Sequence, residues 1–351
     1  VKNKEGPLKL SERILSCLRA RTDSYFSGNE LADELNVSRS AIWKAVEKLR
    51  ADGYEIDAIT NNGYRLLGEP DRLSVSAILA ELPGPIRADY NVVVLESIDS
   101  TNDGLRRRAE EAAPEGTVLL AETQTRGRGR LNRSFYSPRQ SGIYMSLLLR
   151  PTIDPRQSLL ITTAAAVAVA EALETCCGGE TKIKWVNDIF MNGKKVSGIL
   201  TEASLNLESG RLDYAVLGVG INLTEPEGGW PDELKEIAGS ALARKTGLQG
   251  LRSRIAGTFL ARFRTYYDDL PAKAYLAAYR ERSLLIGKRI LTDDGRTQRP
   301  ATALAIDDDF RLIVRYDDSA GNETAALSTG EVSIRLPSDE SRTGTESPDN
   351  P

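Results

Sequence analysis

Four arginines and two glycines fall between Ala121 and Arg133: Arg126, Gly127, Arg128, Gly129, Arg130 and Arg133. A guanidinium is permanently charged and offers planar, paired donors that grip phosphate or carboxylate. Glycine lets backbone come close to a ligand and take φ > 0. Together they describe a loop that orders around an anion, with a solvated basic turn as the plain alternative. Three other stretches hold further candidates. Lys184, Trp185, Asn187 and Asp188 precede a run containing Lys195, Ser197, Gly198 and Glu202. Gly218, Gly220 and Asn222 close one apolar stretch, and Asp99, Ser100, Thr101 and Asn102 follow another.

Composition narrows the chemistry. The 351 residues include no histidine, which excludes Ser-His or Cys-His catalysis and histidine metal sites. Catalysis must rest on charge and positioning by Lys, Arg, Asp and Glu. Cysteine is odd in number and two of the three are adjacent (Cys17, Cys176, Cys177), so a disulfide framework is not expected. The net charge of −4 gives no global pull toward nucleic acid, so any DNA contact must come from a local patch. No signal peptide is expected from the polar, charged first residues, and no apolar run is expected to reach the ~18 residues that cross a membrane. The expectation is a cytoplasmic protein of two or three domains with no membrane partner.

The first ~70 residues have the pattern of a small DNA-binding unit. Ser11 can cap a helix carrying Ile14, Leu15 and Leu18. Ser27 and Glu30 have capping-box spacing ahead of Leu31 and Leu35. Ser38 opens a third helix whose apolar face is Ile42, Val46 and Leu49. Two strands then flank Asn61, Asn62 and Gly63, a hairpin signal. Three helices and a hairpin make a winged helix-turn-helix. Ser38, Arg39, Ser40, Lys44 and Lys48 lie off the apolar stripe of the third helix and are the DNA-contact candidates, with Arg65 on the wing.

A linker at Gly68 to Arg72 leads to a helix over 74–82, broken at Pro83. A strand at Asn91–Leu95 meets a helix over 102–113, where Ser100, Thr101 and Asn102 can act as caps. Arg156 to Thr175 reads as an alanine-rich helix covering a sheet. Strands follow at 182–185, 195–203 and 212–219, then helices at 232–246, 251–270 and 272–282. Strands and covering helices make the centre α+β with a mixed sheet. From Ile286 the pattern turns to five short strands, 289–292, 301–306, 311–316, 324–327 and 332–335, which suggests a small SH3-like β-barrel. Residues 337–351 are too polar to offset the entropy of ordering and are expected to be disordered. The domains expected are 1–68, 69–284 and 285–336, followed by the 337–351 tail.

The four motif blocks, in this order and at this spacing, closely resemble the bifunctional biotin–protein ligase/biotin operon repressor family over roughly Leu8 to Arg335. The resemblance implies a biotin/lipoate ligase-like catalytic domain. It implies that biotin and ATP give biotinyl-5′-AMP, and that biotin then passes to a lysine of the biotin carboxyl carrier protein of acetyl-CoA carboxylase. It also implies repression at operator DNA by a homodimer formed when adenylate is bound. Lys195 matches the lysine that contacts the biotin carboxylate and the adenylate phosphate. Arg128 and Arg130, hinged at Gly127 and Gly129, match positions that fold over those groups. Gln124 matches a biotin contact, and Ser100, Thr101 and Asn102 share contact with the ureido ring. Asn187 and Asp188 match a motif pair, with Asp188 orienting Lys184, assisting with Mg²⁺, or holding the strand end. Gly220 and Asn222 lie where backbone can approach the ligand.

This chain departs from the family in two places. Asn132 stands where glycine is frequent, and Asn tolerates left-handed backbone. Phe135 stands where tryptophan is frequent, and a smaller ring can still stack on adenine. Trp230 can add apolar cover from the Leu223–Trp230 segment. Two other readings stay open: a ligand-sensing repressor without ligase activity, and a lipoate-type acyl ligase.

Overall fold

Apolar residues at helical spacing build the first of two compact units, Val1–Arg72 with Lys245–Arg252; the second is Leu73–Arg244 with Ser253–Pro351. The computed structural model describes residues 10–335 apart from 22, 52, 60–61, 69–70, 131–132, 207, 244–247, 294–296, 318–322 and 329–332. Asn61 of the expected turn, Asn132 and the 337–351 tail lie outside the described residues.

In the first unit α1 (Leu10–Ala20), α2 (Gly28–Leu35) and α3 (Arg39–Ala51) precede the antiparallel pair β1 (Glu55–Ile59) and β2 (Gly63–Gly68). Ile14, Leu18, Leu31, Ile42, Val46 and Leu49 are buried together with Phe26, Ile56 and Leu66. The capping box at α2 is complete. Ser27 Oγ accepts from Glu30 N at 3.1 Å, and Glu30 Oε2 accepts from Ser27 N at 2.8 Å. Asn36, with φ 52°, ends the helix in left-handed geometry. Ser27→Ala orphans one of these donors and should lower the stability of this unit by about 1 kcal/mol. A denaturation midpoint unchanged in the variant would show that the cap contributes nothing.

The second unit holds a seven-stranded mixed sheet. Its strands are β3 (Asn91–Leu95), β4 (Thr117–Ala121), β5 (Gly142–Leu149), β6 (Lys182–Lys184), β7 (Asp188–Met191), β8 (Lys194–Leu205) and β9 (Leu212–Asn222). They lie in the order β3-β4-β5-β9-β8-β7-β6. Only β3 and β4 pair in parallel among these, joined across by α6 (Thr101–Glu110). Every residue of β4 and β5 is buried, as continuous apolar runs in central strands require. Short helices α4 (Val75–Ala80) and α5 (Gly84–Arg87) lead into the sheet, and the long α7 (Leu159–Cys177) lies against β6, β7 and β8.

Three expectations need correction. By length and composition Pro155–Cys177 could cross a membrane, although no such run was expected; residues Leu160 to Ala170 of this helix are all buried within the unit. No helix forms over the described part of 232–246. There Leu234 N bonds Pro231 O, and the chain then extends so that Lys195 N bonds Ile237 O and Gly239 N bonds Lys195 O, each at 2.9 Å. Pairing with Lys195 overrides the local helical pattern. Finally, β7 was not expected at all, although Asn192 (φ 50°) and Gly193 (φ 76°) form a tight turn beside the buried alternate residues Ile189 and Met191.

After α8 (Leu251–Tyr267) and α9 (Leu276–Glu281) the chain forms β10 (Arg289–Asp293), β11 (Gln298–Ile306), β12 (Leu312–Tyr316), β13 (Thr324–Leu327) and β14 (Ser333–Arg335). These make an antiparallel sheet in the order β13-β12-β11-β10-β14. Asp307 wraps the β11–β12 turn by accepting from Asp309 N and Arg311 N, each at 2.9 Å. That turn holds Phe310 at φ 59°, uncommon for a bulky side chain, with the ring fully buried. The ring centroid lies 5.2 Å from that of Tyr275 and 5.3 Å from that of Tyr279.

Candidate functional site

The N-terminus of α6, the segment after β4, and the ends of β6 to β9 surround one cavity of about 600 Å³, the size of small-molecule sites. Ser100 caps α6, with its Oγ accepting from Asp103 N. Thr101 donates through N and Oγ1 to Gln124 Oε1 at 2.8 and 3.0 Å, and Gln124 Nε2 donates to Ser137 Oγ at 2.8 Å. The Ser146 hydroxyl lies 2.6 Å from Asn102 Oδ1 and 2.8 Å from Thr101 Oγ1. Ser100, Thr101, Asn102, Ser137 and Ser146 are buried and Gln124 is half-buried in this wall of amides and hydroxyls. A side chain at Gly218 would collide with Asn102 Oδ1, so glycine is needed there for close approach.

Lys195 reaches the cavity through an irregularity in β8. Ile189 pairs with Ser197 and Phe190 with Lys195, leaving Val196 as a bulge. In a regular strand Lys195 and Gly198 would face opposite sides. Here a Cβ built on Gly198 would meet Lys195 Nζ at 3.3 Å, so the two share a face. The Lys195 ammonium pairs with Asp188 Oδ1 at 2.7 Å, whereas Lys194 turns to the carbonyls of Lys235 and Glu236. Asp188 therefore salt-bridges Lys195 and stands opposite Lys184 in the register of β6 and β7.

Arg130 Nη1 donates to Asn187 Oδ1 at 3.0 Å, while Asn187 Nδ2 donates to Ile199 O at 2.7 Å. Burial holds the Arg130 guanidinium below the usual arginine range, against the pull of Asp188. Arg128 also lines the cavity but is gripped on both sides, by Asp103 Oδ1 at 2.6 Å and Glu202 Oε1 at 3.1 Å. Burial works against its charge, and the bond to Asp103 and the charges of Glu202 and Asp103 outweigh it and raise its pKa. Asp103 and Glu202 were not singled out as its partners: Asp103 reads as ordinary surface charge, and nothing in the run from Lys195 to Glu202 pairs that carboxylate with Arg128.

Phe135 lines the cavity and packs on Gly220, where a Cβ would meet its Cζ at 2.5 Å. Gly129 and Asn222 also line it. Gly127 does not. A side chain there would strike Phe135 O, so this glycine closes the loop on itself. Neither Gly127 nor Gly129 takes positive φ. Arg133 of the basic segment also lines the cavity, and Tyr136 meets Trp230 edge-on at 6.4 Å as apolar cover. The cavity thus joins a neutral hydrogen-bonding wall, suited to a polar ring, to lysine and arginine groups suited to carboxylate and phosphate.

The first unit offers a separate surface. Ser38, Arg39, Ser40, Lys44 and Lys48 are all exposed on or beside α3, together with Trp43. Ser38 Oγ lies 2.9 Å from Ser40 Oγ and accepts from Ala41 N at 3.3 Å. Arg65 on β2 lies over the Tyr25 ring at 4.9 Å.

Residues 94–222 match the biotin/lipoate A/B protein ligase family, and residues 11–65 match an HTH domain. The chain is 38% identical over 314 residues to the bifunctional ligase/repressor BirA of Bacillus spizizenii, covering 88% of this chain and 95% of that protein. It is 34% identical over 249 residues to the biotin–[acetyl-CoA-carboxylase] ligase of Mycobacterium tuberculosis, covering 68% and 87%. A solved mutant of the biotin protein ligase from Aquifex aeolicus, in complex with biotin, superposes with a TM-score of 0.56 at 25% identity over 70% of this chain and 99% of that one.

Proposed function

Because the chain belongs to the bifunctional biotin–protein ligase/repressor family, we propose that it is a biotin–[acetyl-CoA-carboxylase] ligase that also represses biotin genes. A biotin carboxylate oxygen attacks the α-phosphorus of ATP. The bond to pyrophosphate breaks, and biotinyl-5′-AMP forms. The amine of a lysine on the biotin carboxyl carrier protein then attacks the acyl carbon and AMP leaves. In this reading repression belongs to 1–68, ligation to 69–284, and 285–336 is an SH3-like barrel, supported by its five short strands. Its setting is the cytoplasm, without a membrane partner.

The observation that carries the reading is the Lys195 ammonium lining the same cavity as Arg128 and Arg130. Two anions must meet there. A cation ~4 Å from an anion is worth ~4 kcal/mol at an effective dielectric near 20, enough to offset much of their repulsion. Lys195 and Arg130 neutralise the carboxylate and α-phosphate, while Thr101, Asn102 and Gln124 hold the ureido ring in line for attack. Ser100 orients that wall, Phe135 packs on adenine, and Asn187 holds Arg130 in place. Gly220 and Asn222 give the ligand close backbone approach. Asp188 is the only carboxylate among the described residues lining the cavity. Magnesium carried on ATP needs only one or two protein carboxylates, so Asp188 fits it and would hold it. There the ion would neutralise phosphate charge.

Incubation with tritiated biotin, ATP and carrier protein tests the reading directly. Label should enter the carrier only with ATP, and excess lipoate should not compete. No incorporation, or equal competition by lipoate, would overturn it.

Two outcomes follow for the repressor. Arg39, Lys44 and Lys48 neutralise operator phosphates, with Arg65 on the wing and Ser38 and Ser40 at the base edges. Changing those three to alanine should shallow the slope of log K against log salt by ~2.7, about 0.9 for each lost contact. A filter-binding series at several salt concentrations reads this; an unchanged slope removes them from the interface. Adenylate should also drive homodimerisation, and DNA must then tighten adenylate binding by the same factor. Sedimentation with and without biotin plus ATP checks this, and identical profiles would refute it.

A further inference from the structure

The side-chain amide of Asn102 has a fixed polarity. Its Nδ2 donates to Glu202 Oε2 at 2.8 Å, and its Oδ1 lies 2.6 Å from the Ser146 hydroxyl. A carboxylate accepts hydrogen bonds and cannot donate them. The amino end of Asn102 must therefore face Glu202, and its carbonyl end Ser146. The second oxygen of the same carboxylate, Oε1, holds Arg128 Nη2 at 3.1 Å. Glu202 does not itself line the cavity. It stands behind the wall on β8 with a quarter of its side chain exposed (26%).

The bonds form a circuit when followed the other way. From Asn102 they pass through Ser146 to the Thr101 hydroxyl, from the Thr101 backbone N–H to Gln124, and from Gln124 to Ser137, whose hydroxyl donates to Phe135 O at 2.9 Å. One end of the circuit lies at Phe135 and Ser137, just past the basic segment, and the other reaches that segment at Arg128. Glu202 is the only charged member between Asn102 and Arg128, and it bonds to both.

We propose that Glu202 is a positioning residue for the ligase site. One of its oxygens sets which end of the Asn102 amide faces the bound ring, and the other ties that amide to the arginine segment over the phosphates. The inference rests on the ligase reading above and adds to it a coupling between the two substrates.

Glutamine and alanine separate the two roles. In Glu202→Gln the Oε1 atom can still accept from Asn102, but its Nε2 then meets Arg128 donor to donor. Biotin affinity by calorimetry should stay within about threefold of wild type, while the KM for ATP in pyrophosphate exchange rises about tenfold. Glu202→Ala removes both contacts, and biotin Kd should also rise about tenfold. Arg106→Ala is the control. Arg106 meets Asp103 at 2.5 Å and Glu202 only at 3.9 Å, and it does not line the cavity. Both readouts should match wild type in that variant. The proposal is overturned if Glu202→Ala binds biotin as wild type does, if the glutamine and alanine variants move both readouts alike, or if Arg106→Ala does as much as either. A merely structural role predicts the parallel loss. Wild-type protein that binds no biotin would instead overturn the ligase reading itself, before any variant is compared.

Discussion

Replacing Lys195 by alanine is expected to cut biotin-dependent ATP–pyrophosphate exchange by about 10²–10³-fold, the range seen when one preorganised group facing developing charge is removed. Two effects add. The ammonium no longer offsets the anionic substrates, and Asp188 loses its salt bridge at 2.7 Å and faces those anions with the charge interaction of Arg130 still in place. That second effect is separable. Lys195→Ala combined with Asp188→Asn should lose less than the product of the two single losses, because neighbouring charges are not additive. Near-wild-type exchange in the single variant would remove Lys195 from the reaction.

The second large effect is on stability. Phe310 fills the junction between Tyr275 and Tyr279, fully buried. Phe310→Ala should destabilise the second unit by about 3–5 kcal/mol, as expected for loss of a buried aromatic ring. The change also reaches the cavity, since the Phe310 carbonyl accepts from Trp185 Nε1 at 2.7 Å and Trp185 lines it. Urea unfolding followed by tryptophan fluorescence would show a lower midpoint. A midpoint equal to wild type would mean that the C-terminal sheet is held by other contacts.

Both effects draw on parts of the molecule that differ in how far the sequence discloses them. The wing and the C-terminal strands were expected within a few residues of where they lie, because alternating apolar residues and turn residues are local signals. Segment 232–246 misled for the same reason. Its local pattern is helical, but the partner that decides its shape, Lys195, lies about forty residues away in the chain. Strand β7 is short, and its Asn192 and Gly193 carry the same turn signal as Asn62 and Gly63. Residue type made Lys195, Arg128 and Arg130 legible as anion-binding groups. It could not reveal that Asp103 and Glu202 hold Arg128, since carboxylates at such separations look like any solvated surface charge. Gly127 shows the converse, a glycine read for ligand approach that serves loop closure.

The bulge at Val196 makes the direction of the Lys195 side chain a matter of counting. Exchanging Val196 for another apolar residue keeps the tally and leaves the ammonium aimed as it is. Deleting Val196 places Lys195 two positions from Gly198 in a regular strand, on the same face as now, so the ammonium should stay on the cavity side while the local kink and twist of the bulge are lost. What would turn the ammonium away is regular pairing with Val196 kept, since three steps of alternation put Lys195 and Gly198 on opposite faces.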